Sequence, residues 1–154
     1  MAPPTIPFGP AERAALATEW SNHPGMRHLG ARADFSDPEA VRVVVDPVQA
    51  FHRGGLGSDA VNGAVIAGLF DVAIGVVGHF HTQGRRAGTA QLSIRFLRPL
   101  RGDRVMVEGR LERAGTNLVF ATAEAMDSTG TVCARGQGIV AVSGKEGGEE
   151  SRAL

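Results

Sequence analysis

Asp71 is the residue whose type and surroundings in this sequence most clearly suggest chemistry. It is the single carboxylate in the apolar run VNGAVIAGLFDVAIGVVGHF, residues 61–80. At helical spacing its neighbours are Ala64, Ala67, Gly68, Ile74, Gly75 and Gly78, nearly all of them small. This pattern equally fits close packing of a helix on a sheet and a carboxylate with room for a substrate. We expect Asp71 to be half-buried and able to act as a base or a nucleophile.

The residues before this run suggest a second chemical group. Asn62 is a favourable helix N-cap, and Gly63 would then lie in the first turn, where backbone N–H groups have no partner within the helix. Such N–H groups can bind a developing negative charge. Together, Asp71 and Gly63 offer the minimum for attack on a carbonyl: an activating group and a donor for the oxyanion.

The apolar run has two possible locations, a bilayer or a protein core. Its length is close to that of a membrane-spanning helix. A carboxylate at the centre of a bilayer, however, costs about 3 kcal/mol, and amphipathic strands follow without a basic stop signal. We therefore interpret the run as the buried helix of a globular protein.

Composition limits the classes of function. The 154 residues are 43% hydrophobic and carry 16 basic and 16 acidic side chains, so charge gives no argument for nucleic acid or an anionic membrane as a partner. The single cysteine, Cys133, excludes an internal disulfide and a zinc site made only of cysteines. Prolines within residues 1–10 are unlike a signal peptide, and we expect a cytoplasmic protein.

Periodicity predicts an α+β domain. Residues 1–28 are expected to form a loose arm and a short helix, and residues 143–154 a disordered tail. Between them, residues 29–142 form a single domain. A hairpin of two strands precedes the long helix, and four strands follow it in an antiparallel meander, at 87–97, 103–113, 117–127 and 131–142. An antiparallel sheet of five to six strands can bury the helix only by curling around it.

Other candidate residues lie in the loops beside the helix. The glycine-rich segment before it contains His52 and Gly55, which could contact a substrate. Arg98 and Arg101 belong to a local excess of arginine that suits phosphate groups as well as a solvated sheet edge. His79 and His81 lack a third ligand nearby in sequence, so we expect no metal site.

Three segments resemble a known family. The segment NGAVIAGLFDVAIG is similar to the HGG-x(6)-D signature of hotdog-fold acyl-CoA thioesterases of the phenylacetate-degradation (PaaI-like) type. TAQLSIRFLRPLRGDRV resembles that family's strand with its Phe-Leu-Arg-Pro turn, and GTNLVFATAEAMDSTGTVCARGQGIVAV resembles its last two strands. The element order, with a long buried helix, also resembles the hotdog fold.

The resemblance implies an activity and a set of roles. The chain would hydrolyse acyl-CoA thioesters, with coenzyme A entering as part of the substrate and with no other cofactor. Asp71 would activate water or attack the carbonyl, the Gly63 N–H would polarise that carbonyl, and Thr89 would help to hold the water in the facing subunit's site. The family's site is shared across a homodimer interface, and many members form tetramers. Asn62 and Ala64 replace the usual His and second Gly of the signature, and Asn62 could still donate to an acyl oxygen.

Two other functions remain open at this stage. A non-catalytic acyl-CoA binding or regulatory protein is compatible with the altered signature. A hotdog hydratase or dehydratase would need a His paired with an acidic residue around the central helix, and no such His stands near Asp71 in sequence.

Overall fold

The computed structural model describes residues 3–54 and 59–146, the last two by their backbone only. The described residues form three α-helices and six strands, in the order α1 Pro10–Ser21, α2 Pro24–His28, β1 Arg32–Asp34, β2 Val41–Val45, α3 Gly63–His79, β3 Arg85–Phe96, β4 Val105–Ala114, β5 Leu118–Met126 and β6 Val132–Glu146. A single turn of 3-10 helix, Ala50–His52, lies between β2 and α3.

The six strands form one antiparallel sheet curled around helix α3, in the order β1-β2-β4-β5-β6-β3. Helix α3 packs on five of them, and its buried face carries Leu69, Phe70, Ala73 and Val77. The predicted fold class, a hotdog fold with a long central helix, is confirmed.

The predicted meander of four strands is wrong at its first link. Strands β4, β5 and β6 do follow one another as neighbours, but β3 pairs with β6, along ten residue pairs, and not with β4. Period-two patterns identify strands but not the strands they pair with, so this crossover could not be predicted from them. As a result β3 lies at one edge of the sheet and β1 at the other.

Glycines allow helix α3 to approach the sheet closely. A Cβ at Gly78 would stand 2.5 Å from three side-chain atoms of Val140, and one at Gly136 would stand 2.8 Å from the ring of Phe70. At these positions a larger side chain would force helix and sheet apart. The small residues around Asp71 therefore fall into two groups. Gly78 allows the helix to pack closely on the sheet, whereas the others lie nearer the surface.

The N-terminal segment is packed on the domain, contrary to the predicted loose arm. Thr5 and Ile6 are buried, and the Ile6 N–H donates to the Pro38 carbonyl over 2.8 Å. The Thr5 hydroxyl accepts a 3.0 Å hydrogen bond from the Leu111 N–H. We predict a loose arm because the segment contains several prolines, but these prolines do not prevent Ile6 from packing in the core.

The C-terminal strand is longer than predicted. β6 continues to Glu146, so residues 143–146 are not disordered, whereas the rest of the predicted tail, 147–154, lies outside the described residues. Within the described ranges, no helix combines the length and the hydrophobicity needed to cross a bilayer.

Candidate active site

The start of helix α3 is fixed by hydrogen bonds to two neighbouring segments. The Val61 N–H donates to the Leu100 carbonyl over 2.8 Å, and the Asn62 N–H donates to the His52 carbonyl over 2.7 Å. Asn62 then caps the helix, because its Oδ1 accepts a 2.8 Å hydrogen bond from the Ala64 N–H. The predicted N-cap is confirmed, and among the described residues none accepts a hydrogen bond from its Nδ2.

Gly63 opens the helix with a free N–H. Among the described residues none accepts a hydrogen bond from it, and a Cβ at this position would meet no heavy atom within 4 Å. The group belongs to the positive end of the helix dipole, and the space beside the Cα of Gly63 is open. It can therefore donate to an oxygen that gains negative charge during a reaction.

An apolar cavity of about 340 Å³ opens beside Gly63. Phe96 and Leu97, which are 55% and 42% exposed, form part of its wall. The full lining is Ala60, Val61, Gly63, Ile66, Phe96, Leu97, Arg98, Pro99 and Leu100. Our sequence reasoning missed the apolar part of this wall, although two large apolar side chains next to a turn were the signal for it.

Asp71 is exposed, so the expectation that it is half-buried is wrong for the single chain. It lies on a strip of α3 that faces away from the core, together with Ala64, Ala67, Gly68 and Gly75, which are exposed or half-buried. No basic side chain in the described part of the chain forms an ion pair with Asp71. The carboxylate is therefore free, on a helix surface that a second backbone could approach.

Gly63 and Asp71 do not meet within one chain. They are eight residues apart on the same helix, which separates them by about 12 Å along its axis. An aspartate side chain is too short to bridge that distance. One reacting carbonyl can contact both groups only if the N–H and the carboxylate come from two different helices.

A bulge in strand β3 turns Thr89 towards helix α3. Gln91 pairs with Ile139 and Thr89 pairs with Val140, so Ala90 is one extra residue in the ladder. In a regular strand Thr89 would lie on the same face as Gln91, away from the helix. The bulge instead brings Thr89 Oγ1 to 3.5 Å from the position that a Cβ of Gly75 would occupy, one helical turn from Asp71.

His52 has a structural role, which contradicts our expectation that it contacts substrate. The side chain is fully buried. Its Nδ1 accepts a 2.9 Å hydrogen bond from the Gln49 N–H, and its Nε2 donates to the Leu29 carbonyl over 2.7 Å. Both ring nitrogens are therefore occupied by backbone groups, and neither can bind a ligand. The sequence showed a polar loop but not that this histidine folds inward.

The two arginines predicted to bind phosphate differ in their surroundings. Arg98 lines the apolar cavity, and no described carboxylate lies within ion-pair distance of it. Arg101 is bound to Asp59, with Nε and Oδ2 2.9 Å apart, and this hydrogen bond lowers the pKa of Asp59 below its ordinary value. Arg98 is thus the better placed of the two for an anionic group near Gly63.

The remaining predicted positions add little to the site. Gly55 lies outside the described residues. Burial raises the pKa of the Cys133 thiol, which makes this cysteine a poor nucleophile. Among the described residues, no group of three His, Cys, Asp or Glu side chains is arranged to hold a metal ion.

A comparison with protein families gives the site its context. The sequence profile of the thioesterase superfamily matches residues 59–134, from just before helix α3 to the start of strand β6. Over this range, which is just under half of the chain, the sequence is similar to the thioesterase superfamily. The matched range includes Asn62, Gly63, Asp71 and Thr89, and this similarity supports the predicted class of activity, hydrolysis of thioesters.

Solved structures of other proteins have the same fold as this chain. The PaaI protein of Escherichia coli, from the phenylacetic acid degradation operon, superposes with a TM-score of 0.74 at 20% identity over 90% of this chain and 99% of that one. A thioesterase from Haemophilus influenzae gives a TM-score of 0.74 at 17% identity, covering 85% of this chain and 90% of its own. Zebrafish thioesterase superfamily member 2 gives a TM-score of 0.71 at 16% identity, covering 89% of this chain and 99% of its own. None of the curated proteins compared with the chain matches its sequence.

Proposed function

We propose that the chain hydrolyses acyl-CoA thioesters to a free acid and coenzyme A. The observation that carries this proposal is the open N–H of Gly63 beside an apolar cavity, on the same helix as an unpaired Asp71. An apolar cavity suits the hydrocarbon part of the substrate, and the N–H suits the carbonyl oxygen. The similarity to the thioesterase superfamily supports the thioester as the bond that is broken.

The proposed reaction uses the two groups in separate roles. Asp71 takes a proton from a water molecule, whose oxygen attacks the thioester carbon, or its carboxylate attacks that carbon directly. The carbonyl oxygen becomes an oxyanion and accepts a hydrogen bond from the Gly63 N–H. Collapse of this intermediate breaks the carbon–sulfur bond, and the coenzyme A thiolate leaves and takes up a proton. Where water attacks, collapse gives the free acid directly; where Asp71 attacks, it leaves a mixed anhydride on Asp71, which a water molecule then hydrolyses to the free acid and the carboxylate. No cofactor is needed besides the coenzyme A carried by the substrate.

The separation of about 12 Å along the helix leads us to propose a homodimer. Two α3 helices packed antiparallel, with Ala67 near the symmetry axis, would place Gly63 of one copy opposite Asp71 of the other. The small side chains of Ala64 and Ala67, which are exposed and half-buried, would allow the two helices to approach closely. The exposure of Asp71 in a single chain supports this arrangement, because an interface would cover that strip.

The free edge of strand β3 supports the same dimer. β3 is twelve residues long, and within the described sheet it pairs only with β6, on one side, so that no described strand pairs with its other side. Such an edge is suited to pairing with a second strand. Thr89 lies on β3 near helix α3, and we propose that it helps to hold the attacking water in the shared site. We propose Arg98 as a contact for the phosphates of coenzyme A.

Substituting Asp71 tests the proposal directly. Asp71→Asn keeps the shape of the side chain and removes its ability to take a proton, so we expect turnover of an acyl-CoA to fall by roughly a hundredfold to ten-thousandfold. Hydrolysis would be followed by trapping the released thiol. Glu112→Gln, which neutralises an exposed carboxylate on strand β4, should leave turnover unchanged.

Two results would contradict the proposal. If the unaltered protein binds acyl-CoA but hydrolyses none of a panel of acetyl, octanoyl and phenylacetyl thioesters, it is a binding protein. If it hydrolyses them and Asp71→Asn has no effect, another group performs the attack.

A further inference from the structure

The outer face of the sheet carries two arginines directly opposite each other on neighbouring strands. Arg95 on β3 pairs in register with Arg135 on β6. The residue after Arg135, Gly136, faces helix α3, since a Cβ there would stand 2.8 Å from the ring of Phe70. Successive side chains of a strand alternate between its two faces, so both arginines point away from the helix. They therefore lie on the opposite face of the sheet from helix α3 and its reactive groups.

This arginine pair has an electrostatic cost that the described residues offset only in part. Like charges directly opposite each other on adjacent strands destabilise a sheet. Arg135 has a carboxylate partner, Glu124, whose Oε1 lies 3.3 Å from its Nε, and the arginine side chain is still 63% exposed. Arg95 forms no ion pair with any described carboxylate. The positive charge of Arg95 is thus left without a partner in the described part of the chain.

Two neutral polar side chains stand beside the arginines on the same face. Ser93 on β3 pairs in register with Gln137 on β6, and each lies two residues from an arginine on its own strand. The four Cβ atoms are about 5 Å apart across the strands and about 7 Å apart along them. Among the described residues, none forms a hydrogen bond with the side chain of Ser93 or Gln137. Guanidinium, hydroxyl and amide donors can therefore converge on one ligand.

A cavity of about 350 Å³ lies over these side chains. Its lining is Ser93, Ile94, Arg95, Arg135, Gly136 and Gln137, none of them acidic. The adjoining cavity on the other side of Arg135 differs, because Glu108 and Glu124 line it and would repel an anion. An anion is therefore favoured on the β3 side of Arg135.

We propose that Arg95, Arg135, Ser93 and Gln137 form a binding site for a phosphate group. A guanidinium fork matches the geometry of phosphate oxygens. A phosphate monoester carries a charge of about −1.5 to −2 at pH 7, enough to relieve the repulsion between the two arginines. A carboxylate has a single charge and two oxygens, so it satisfies fewer of these donors. The site goes beyond the proposed hydrolysis and does not depend on it.

Inorganic phosphate is the first probe of this site. Titration calorimetry at low ionic strength should detect binding to the unaltered protein, and acetate should bind much more weakly. Arg95→Gln should weaken phosphate binding by roughly tenfold or more, since a charged hydrogen bond is lost. Arg113→Gln is the matched control. Arg113 is an exposed arginine of the same sheet that pairs with Phe120 instead of a second arginine, and its loss should leave binding unchanged.

Thermal unfolding gives a second readout. A ligand that binds only the folded chain raises the unfolding temperature, so phosphate should raise that of the unaltered protein but not that of Arg95→Gln. Without phosphate, Arg95→Gln should unfold at an equal or higher temperature, because the repulsion between the arginines is removed. A lower unfolding temperature of this variant without phosphate would contradict the electrostatic argument.

Coenzyme A and dephospho-coenzyme A identify where the phosphate comes from. If the site takes the 3′-phosphate of coenzyme A, Arg95→Gln should weaken the binding of coenzyme A and leave that of dephospho-coenzyme A, which lacks this phosphate, unchanged. If the site takes a separate phosphate compound, Arg95→Gln should leave both unchanged and still weaken the binding of inorganic phosphate. Each of these results supports a phosphate site.

Three results would overturn the assignment. The unaltered protein could show no phosphate binding by calorimetry or thermal unfolding, Arg95→Gln could bind phosphate as tightly as the unaltered protein, or acetate could bind as tightly as phosphate. The first two would remove the site, and the third would remove its specificity for phosphate. All three leave the hydrolase proposal as it stands, because none of them concerns Asp71 or Gly63.

Discussion

At the scale of single residues, Glu108 shows how the outer face of the sheet is held. Its Oε2 accepts a 2.8 Å hydrogen bond from Arg42 Nε, and its Oε1 accepts one of 2.6 Å from Arg110. The Glu108 side chain is only 14% exposed. Burial alone would raise the pKa of Glu108, but the two arginine hydrogen bonds outweigh it and lower that pKa below its ordinary value of 4.5.

This lowered pKa predicts a loss of stability in acid. The unfolded chain binds the proton of Glu108 at a higher pH than the folded chain, so the stabilisation is complete above the unfolded pKa and is lost as pH falls through the folded one. Glu108→Gln should lower the free energy of unfolding by about 1–3 kcal/mol at pH 7 and by less at pH 3. Urea unfolding at the two pH values measures this. An equal loss at both would show that the charge of Glu108 is not responsible, and Glu112→Gln serves as the control.

Single residues also mark what the sequence could and could not predict about the site. Asn62 and Gly63 were placed correctly, because helix caps follow from local residue types. The predicted contact of His52 with substrate was wrong, since the burial of this side chain depends on a hydrogen bond to the carbonyl of Leu29, 23 residues earlier in the chain. The exposure of Asp71 could not be predicted from an apolar run, because the run alone does not say which strip of the helix the sheet leaves uncovered.

At the scale of elements, the packing of helix α3 on the sheet depends on individual glycines. Gly78→Ala would place a methyl group 2.5 Å from Val140, and we expect a loss of about 1–3 kcal/mol in the free energy of unfolding from overpacking. Gly75→Ala is the matched control: its methyl group would stand at an ordinary 3.5 Å from Thr89 Oγ1. Because alanine favours a helix by about 1 kcal/mol over glycine, this variant should not be destabilised.

Urea unfolding of the two variants measures the difference. If the clash is the cause, adding Val140→Ala to Gly78→Ala should recover part of the loss, since the isopropyl group is removed. Equal stability of Gly78→Ala and Gly75→Ala would instead show that helix and sheet adjust freely.

The bulge at Ala90 explains the limit of element prediction. The strand 87–97 was identified by its alternation, and β3 was found within two residues of those bounds. The alternation is interrupted at Ala90, which reverses the face of Thr89 relative to Gln91. Period-two reasoning cannot place a side chain beyond a bulge, and only the family resemblance pointed to Thr89.

At the scale of the whole molecule, the helix that carries both reactive groups also keeps them apart. The sequence suggested that Gly63 and Asp71 form one site, and the length of α3 shows that one chain cannot assemble it. Sheet order is likewise a property of the whole chain, and the pairing of β3 with β6 left β3 free at an edge. Both facts lead to the proposed dimer.

Mixing two inactive variants tests whether the site is shared between chains. Gly63→Pro removes the N–H, and proline fits the first helical position, as it does in α1 and α2. The extended backbone of Asn62, with φ −62° and ψ 137°, is also compatible with a following proline. We expect Gly63→Pro to reduce turnover by roughly a hundredfold to a thousandfold, whereas Gly63→Ala, which keeps the N–H, should remain active.

A heterodimer of the Asp71→Asn chain and the Gly63→Pro chain contains one site with Gly63 from the first chain and Asp71 from the second. Random exchange would make about half of all dimers heterodimers, each with one intact site of two, so activity should return to about a quarter of the unaltered level. If each site were built within one chain, every site in the mixture would carry a defect. Heterodimers that form, as judged by two affinity tags, and yet stay inactive would therefore rule out the shared site. In that case Gly63 and Asp71 would have to act from the same helix.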